Sequence, residues 1–294
     1  MLLLPVATLD ALAQLIRVRP RVILTSGSFS SLPVLLAARL LRVPIYLWVG
    51  DAIPGRALRA VAGWSSGIGV TFDGALAALP RGRATVTGNP VRRSLLRWTR
   101  AEGRRALGLA PDVPVVLVTG GSQGSERINS ATFTGLSRLV RRAAVVHHTG
   151  PAHLPKAQAQ RALLPEADRA RYQAHGFLHD EMGAALAAAD LVVGRAGSSS
   201  IAEPLAFGVP LVLIPFGAAM NAHQMANARA AAELGAAVII PESDLDGDRL
   251  VSTVNGLLDD PARLGRLGAN ARSAGRPDAA ERIARAVLAL GRCE

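Results

Sequence analysis

Apolar residues recur along this chain in two alternating rhythms. Short runs rich in Val, Ile and Leu mark strands, and between them leucines and alanines return every three or four residues, as on one face of a helix. The spacing predicts a helix over residues 7–19, a strand at 21–24, a polar loop at 25–31, a helix to about Leu41 and a strand at 43–49. A loop at 50–55, a helix, a short strand near Val70 and a strand at 84–87 follow. Gly88-Asn89-Pro90-Val91-Arg92-Arg93 reads as a turn into a polar, arginine-rich connector that continues to Arg105. Beyond it, residues 114–119 form a strand that feeds the glycine-rich loop Gly120-Gly121-Ser122-Gln123-Gly124 and a helix over 125–140. Strands near Val145, Ala174, Val192, Val212 and Val238 alternate with helices, and two helices close the chain, at 261–272 and 278–290, parted by Gly275-Arg276-Pro277.

Strictly alternating strands and helices imply an α/β protein with doubly wound parallel sheets. The connector divides it into a domain over residues 1–92, onto which a terminal helix (277–294) packs back, and a second domain over 93–276. The most informative stretch is 189–228, read as strand, polar loop, helix, a strand over 210–216, and a loop carrying Asn221, His223 and Gln224 into the next helix. Loops after successive parallel strands emerge at one edge of the sheet, where ligands bind. Ser198, Ser199 and Ser200 sit beside a helix start whose N–H groups favour an anion. Glu203, one turn on, has two readings: a carboxylate that accepts bonds from a ribose diol, or the fourth residue of an S-x-x-E capping box begun at Ser200. Pro204 disfavours the α conformation at Glu203 and so blurs the start of that helix.

With 294 residues, 50% hydrophobic and 4% aromatic, the chain can bury an ample core, which excludes disorder. The net charge of +11 comes from arginine, Lys156 being the single lysine, and favours anionic partners. Its scatter and the lack of interleaved aromatics argue against nucleic acid, leaving an anionic membrane surface. Leu2 to Leu4, Leu40 and Leu41, bracketed by Arg17, Arg19, Arg39 and Arg42, read either as an apolar patch with a basic rim or as ordinary helix core. The longest apolar neighbourhood, 32–49, contains Arg39 and Arg42 and is no spanning helix. One cysteine, Cys293, allows no disulfide framework. The opening residues lack a basic n-region, and Asp10 interrupts them, so no signal peptide is expected. Six histidines show no H-E-x-x-H spacing and no metal is expected. Neither a G-x-S-x-G elbow nor a Walker A motif is present. A nucleotide-diphosphate site between two α/β domains is the best constellation, with no cofactor.

In this setting the chain resembles the MurG family of bacterial N-acetylglucosaminyltransferases, glycosyltransferase family 28. The matching motifs are Gly88-Asn89-Pro90-Val91-Arg92, Gly120-Gly121-Ser122-Gln123-Gly124, Gly176-Phe177-Leu178, Arg195-Ala196-Gly197 with the serines and Glu203, Asn221 to Asn227, and Pro277-Asp278-Ala279. The resemblance implies a GT-B fold of two Rossmann-like domains facing a cleft, the N-terminal one truncated, and inverting transfer from UDP-N-acetylglucosamine to a lipid-linked acceptor at the cytoplasmic face of the membrane. It also implies donor contacts from Arg92, Ser122, Leu178, Ser198, Ser199, Ser200, Ile201, Glu203 and Gln224, and an acceptor loop at Gly27-Ser28-Phe29. The family's opening glycine-rich segment, roughly 70–90 residues, has no counterpart here, and its His-Glu-Gln-Asn is replaced by Trp48-Val49-Gly50-Asp51. Asp51, placed at a strand end facing the cleft, then reads either as a general base or as a turn former ahead of Pro54. The departures keep two other expectations open: a donor-binding subunit whose partner supplies the acceptor half, and a UDP-N-acetylglucosamine 2-epimerase of the same fold.

Overall fold

A computed structural model describes residues 3–217 and 222–292. The chain divides into two compact units, one of residues 1–90 with 278–294 and one of residues 91–277. In the first, helix α1 (Leu3–Val18) leads to strand β1 (Ile23–Thr25), followed by α2 (Leu32–Leu40), β2 (Ile45–Val49), α3 (Arg56–Ala62), β3 (Gly67–Val70) and β4 (Ala84–Val86). The four strands are parallel in the order β1-β2-β3-β4. Leu35, Leu47, Ile68 and Val70 form the centre of its core. Such a sheet winds in one direction, each described strand lying beside the one before it.

The second unit opens with α4 (Arg100–Ala106), within the stretch expected to be a connector. Thr99 caps it through the Glu102 N–H, and the Glu102 carboxylate accepts the Thr99 N–H at 2.9 Å, a complete capping box. The T-x-x-E spacing was the overlooked signal. Then come β5 (Val115–Thr119), α5 (Glu126–Val140), β6 (Ala144–His148), α6 (Leu154–Ala162), α7 (Glu166–Arg169), β7 (Tyr172–His175), α8 (Glu181–Ala188) and β8 (Leu191–Gly194). The unit closes with α9 (Ser198–Phe207), β9 (Leu211–Leu213), α10 (Ala222–Glu233), β10 (Ala237–Ile239), α11 (Gly247–Leu258) and α12 (Pro261–Ala274). Helix α13 (Ala279–Leu290) belongs to the first unit, where it packs against β3. Among the described residues, no helix is long and apolar enough to cross a membrane.

All six strands of the second sheet are parallel, in the order β10-β9-β8-β5-β6-β7. Val115 to Val118 are fully buried, as a central parallel strand covered on both faces must be. The chain runs outward from β5 to β6 and β7, then returns to β8 on the other side of β5 and runs outward again. The order therefore reverses between β5 and β8, the place where ligands settle in such sheets. The strand expected over 210–216 is only three residues long. Ile214 still donates to the Gly194 carbonyl at 2.8 Å, but its own carbonyl accepts from Arg195 Nη1 at 3.3 Å, and Pro215 has no N–H to continue the ladder.

Candidate functional site

Two loops meet at the reversal. The loop after β5 is Gly120 to Gly124, in which Gly121 has φ +88° and Gly124 φ +77°. A Cβ on Gly124 would strike the carbonyl oxygen of Thr149, so this turn needs glycine for conformation and for space. It ends at Ser125, which caps α5 through the Ile128 N–H. The loop after β8 is Arg195-Ala196-Gly197, and Gly197 is the N-cap of α9. Glycine offers no capping side chain, so the first-turn N–H groups of α9 present their dipole to whatever lies in front of them. Neighbouring helix starts of this kind attract phosphate.

In front of these loops lies a cavity of about 290 Å³. Arg92, Ser122, Ser199, Ser200 and Glu203 line it, together with the apolar side chains of Phe177, Leu178, Met182 and Leu186. Of the nine expected donor residues, six thus meet here. Ser198 is half-buried and does not line the cavity, and Ile201 is fully buried in the core. Gln224 is placed elsewhere: its Oε1 accepts the Phe216 N–H at 3.0 Å. Asn221 lies outside the described residues.

The capping-box reading of Ser200 and Glu203 does not hold. Helix α9 starts at Ser198, so Ser200 is already its third residue and Glu203 lies in its second turn. Pro204 sits inside the helix without breaking it. Its missing N–H forgoes the bond to the Ser200 carbonyl, and the end is closed instead by Gly208 at φ +70°, with Val209 donating to the Pro204 carbonyl at 3.0 Å. Burial raises the Glu203 carboxyl above its ordinary pKa, and the nearby Arg92 guanidinium draws it partly back. A carboxylate desolvated this way gains by accepting hydrogen bonds from a ligand.

A second layer of side chains holds the loops. Arg195 pairs with Glu242 at 2.6 Å, both nearly buried, and donates to Ser125 Oγ at 2.7 Å. Burial alone would raise the Glu242 pKa, but the Gly217 N–H and Arg195 hold it below the ordinary value. Asn227 Nδ2 donates to the Ala196 carbonyl at 3.1 Å. His147, fully buried, lies 2.9 Å from the Tyr172 hydroxyl and 3.0 Å from Asn129 Oδ1. Burial, helped by His148 and His153, pushes its pKa down to about 3. Sequence reasoning assigned no role to Arg195, Thr119, His148 or Phe177. Their positions at the C-terminal ends of β5, β6, β7 and β8 carried the signal.

A larger groove of about 670 Å³ lies at the opposite edge, lined by Trp98, Arg100, Asp190, Pro210, Pro261 and Arg272 among others. It faces strand beginnings and the C-termini of α8 and α9, whose partial charge repels anions, together with the first residues of α4 and α12, and Asp190 there is engaged by Arg100 and Arg104. The smaller cavity therefore has the better chemistry. In the first unit, Gly27 has φ +67°, Ser28 Oγ lies 2.9 Å from Ser30 Oγ, and Phe29 is exposed. Asp51 stands in the loop after β2, half-buried.

Comparison with known proteins places this arrangement in context. Residues 115–283 match the glycosyltransferase family 28 C-terminal domain. The UDP-N-acetylglucosamine–N-acetylmuramyl-(pentapeptide) pyrophosphoryl-undecaprenol N-acetylglucosamine transferase of Moorella thermoacetica is 37% identical over 286 residues, covering 95% of this chain and 76% of the relative. The protein of the same name from Halalkalibacterium halodurans is 33% identical over 277 residues, covering 94% and 76%. The crystal structure of MurG from Acinetobacter baumannii superposes with a TM-score of 0.76 at 23% identity, covering 96% of this chain and 77% of that one. A UDP-GlcNAc 2-epimerase from Neisseria meningitidis, bound to UDP-GlcNAc, superposes with a TM-score of 0.66 at 14% identity, covering 96% and 80%. These two likenesses concern the fold, which is GT-B.

Proposed function

Because the chain belongs to the MurG family, within glycosyltransferase family 28, we propose that it moves N-acetylglucosamine from UDP-N-acetylglucosamine to undecaprenyl-diphosphate-linked N-acetylmuramyl-pentapeptide, a step of peptidoglycan synthesis. The observation that carries the reading is the cavity at the reversal between β5 and β8, where two helix starts, Arg92, three serines and a desolvated Glu203 are gathered. The diphosphate lies against Ser122, Ser199, Ser200 and the α9 start, with Ser198 contributing through its backbone N–H; the Ile201 N–H already donates to the Gly197 carbonyl at 3.1 Å, so Ile201 supports the turn from the core. Arg92 adds charge for the departing UDP. Glu203 takes the ribose hydroxyls, the Leu178 backbone faces uracil, and Gln224 serves the sugar hydroxyls after releasing Phe216. An acceptor hydroxyl attacks the anomeric carbon from the face opposite the diphosphate, which inverts the configuration, and Asp51 takes the proton. Gly27, Ser28 and Phe29 belong to the acceptor side.

The acceptor's lipid tail brings the enzyme to the cytoplasmic face of the membrane. Leu4, Leu40 and Leu41 are exposed, and so are Arg17, Arg19, Arg39 and Arg42, which supports an apolar contact rimmed by arginine against anionic lipid. Leu2 and the side chain of Leu3 lie outside the described residues. A second reading, in which a partner polypeptide completes the acceptor half, is favoured by β1: among the described residues it pairs with β2 alone, and Leu24 on it is 52% exposed. Turnover of labelled UDP-N-acetylglucosamine with a lipid-linked N-acetylmuramyl-pentapeptide tests both. Transfer by the chain alone supports the complete enzyme. Donor binding without transfer supports the partnered one, and neither binding nor transfer refutes both.

A further inference from the structure

The cavity wall includes a side chain whose bonding is incomplete. His148, at the end of β6, is only 3% exposed and lines the cavity beside Phe177, whose ring meets the imidazole edge to face with centroids 5.5 Å apart. Its Nδ1 lies 3.2 Å from Thr119 Oγ1, and that oxygen accepts the Gly121 N–H at 3.2 Å. Its Nε2 is buried and has no hydrogen-bond partner. Either atom of the Thr119–Nδ1 pair can be the donor. When the Thr119 hydroxyl donates to Nδ1, the proton of the neutral ring sits on Nε2 and is a buried N–H without an acceptor. Such a group is costly unless a ligand answers it.

Sheet order indicates what that ligand group is. Along the strand ends the sequence is β8, β5, β6, β7, so the anion-attracting helix starts of α9 and α5 lie at one end of the cavity, and His148, Phe177 and Leu178 lie at the other. A nucleoside diphosphate lying across these ends puts its phosphates on the helix starts and its base against the flat apolar and imidazole wall. We propose that His148 is a specificity-determining residue of the donor site: its Nε2–H donates to a carbonyl oxygen of the base and selects uracil over cytosine. An exocyclic amino group in the same place would set donor against donor. Thr119 holds the ring in the required tautomer and ties it to the phosphate loop through Gly121. Burial, with His175 nearby, lowers the His148 pKa and keeps the ring neutral.

This inference rests on the proposed UDP-sugar site, and the test separates the two. UDP and CDP are titrated calorimetrically into the full chain and into His148→Asn and His148→Gln. Asn keeps an amide near the Nδ1 position, where it reaches Thr119, and places nothing at Nε2. Gln restores an N–H near Nε2. The expected result is a UDP preference in the natural chain that falls roughly tenfold or more in His148→Asn and is largely kept in His148→Gln, with unchanged melting temperatures. Should the Asn variant fail to fold, His148→Phe carries the same expectation of lost preference. Equal weakening of UDP and CDP would make His148 a loop support only and overturn the proposal, as would a preference unchanged in the Asn or Phe variant. Absence of UDP binding to the natural chain would instead refute the donor site itself.

Discussion

Replacing Glu203 should move affinity and stability in opposite directions. The carboxyl is half-buried in the second turn of α9 and is not the cap of that helix, which is Gly197. Burial raises its pKa, so the folded chain holds this proton more tightly than the unfolded chain does. Its contribution to stability is fully present below the ordinary carboxylate range and is lost as pH rises through the raised value. At neutral pH, Glu203→Gln removes an unfavourable buried charge and should leave the melting temperature equal or higher. Donor binding has the opposite dependence, because the ionised carboxylate accepts two ribose hydroxyls. Hydrogen bonds to a charged acceptor contribute about 1.5–3 kcal/mol, which at 1.4 kcal/mol per decade is a Kd roughly 12- to 140-fold weaker in Glu203→Gln or Glu203→Ala. Affinity in the natural chain should also fall as the solution is acidified through the raised pKa. Calorimetry with UDP-N-acetylglucosamine, alongside thermal melts, reads both quantities. Full affinity in a folded variant, or a loss of stability with affinity intact, would refute the ribose role.

Arg195→Ala strands Glu242 and should cost about 3–5 kcal/mol in urea titration. Arg195→Lys should recover little of this, since one ammonium cannot serve Glu242, Ser125 and the Ile214 carbonyl together. His147 has its pKa lowered to about 3, so its stabilising neutral form is fully favoured above the ordinary histidine range and lost as pH falls toward that value. Stability should drop by up to about 1.4 kcal/mol per pH unit across that window, and His147→Gln should lack this part of the slope. Arg19 and Arg42 sit just beyond α1 and α2 at φ +51° and +58°, a left-handed conformation that favours glycine. Arg19→Gly and Arg42→Gly should each stabilise the fold by about 1 kcal/mol while weakening flotation with anionic vesicles.

The hydrophobic rhythm announced the parallel strands because buried β-branched runs such as Val115 to Val118 leave little alternative to a covered strand. Helix starts were harder to place. Ser200 and Glu203 matched a capping box, yet tertiary packing of Ile201 and the turn at Gly197 began the helix three residues earlier. At α4 the same kind of signal, Thr99 and Glu102, was real and lay hidden among arginines. Of those arginines, Arg104 is 5% exposed and donates to the carbonyls of Ala110, Pro111 and Val113, so part of the positive charge that suggested anionic partners is structural. His148 escaped notice because its importance lies in a pairing with Thr119, 29 residues away, which only the order β5-β6 creates. Gln224 shows the converse: the motif was legible, but its contact with Phe216 depends on the loop between them.

The central claim is that a UDP-sugar is held at the reversal point of the second sheet. Hydrogen–deuterium exchange of the full chain, with and without saturating UDP-N-acetylglucosamine, tests it most directly. Protection should appear in the glycine-rich loop and the start of α5, in the segment from Phe177 to Met182, and in the first two turns of α9. Protection instead along the groove formed by Trp98, Arg100 and α12, or none in the three expected segments, would contradict it.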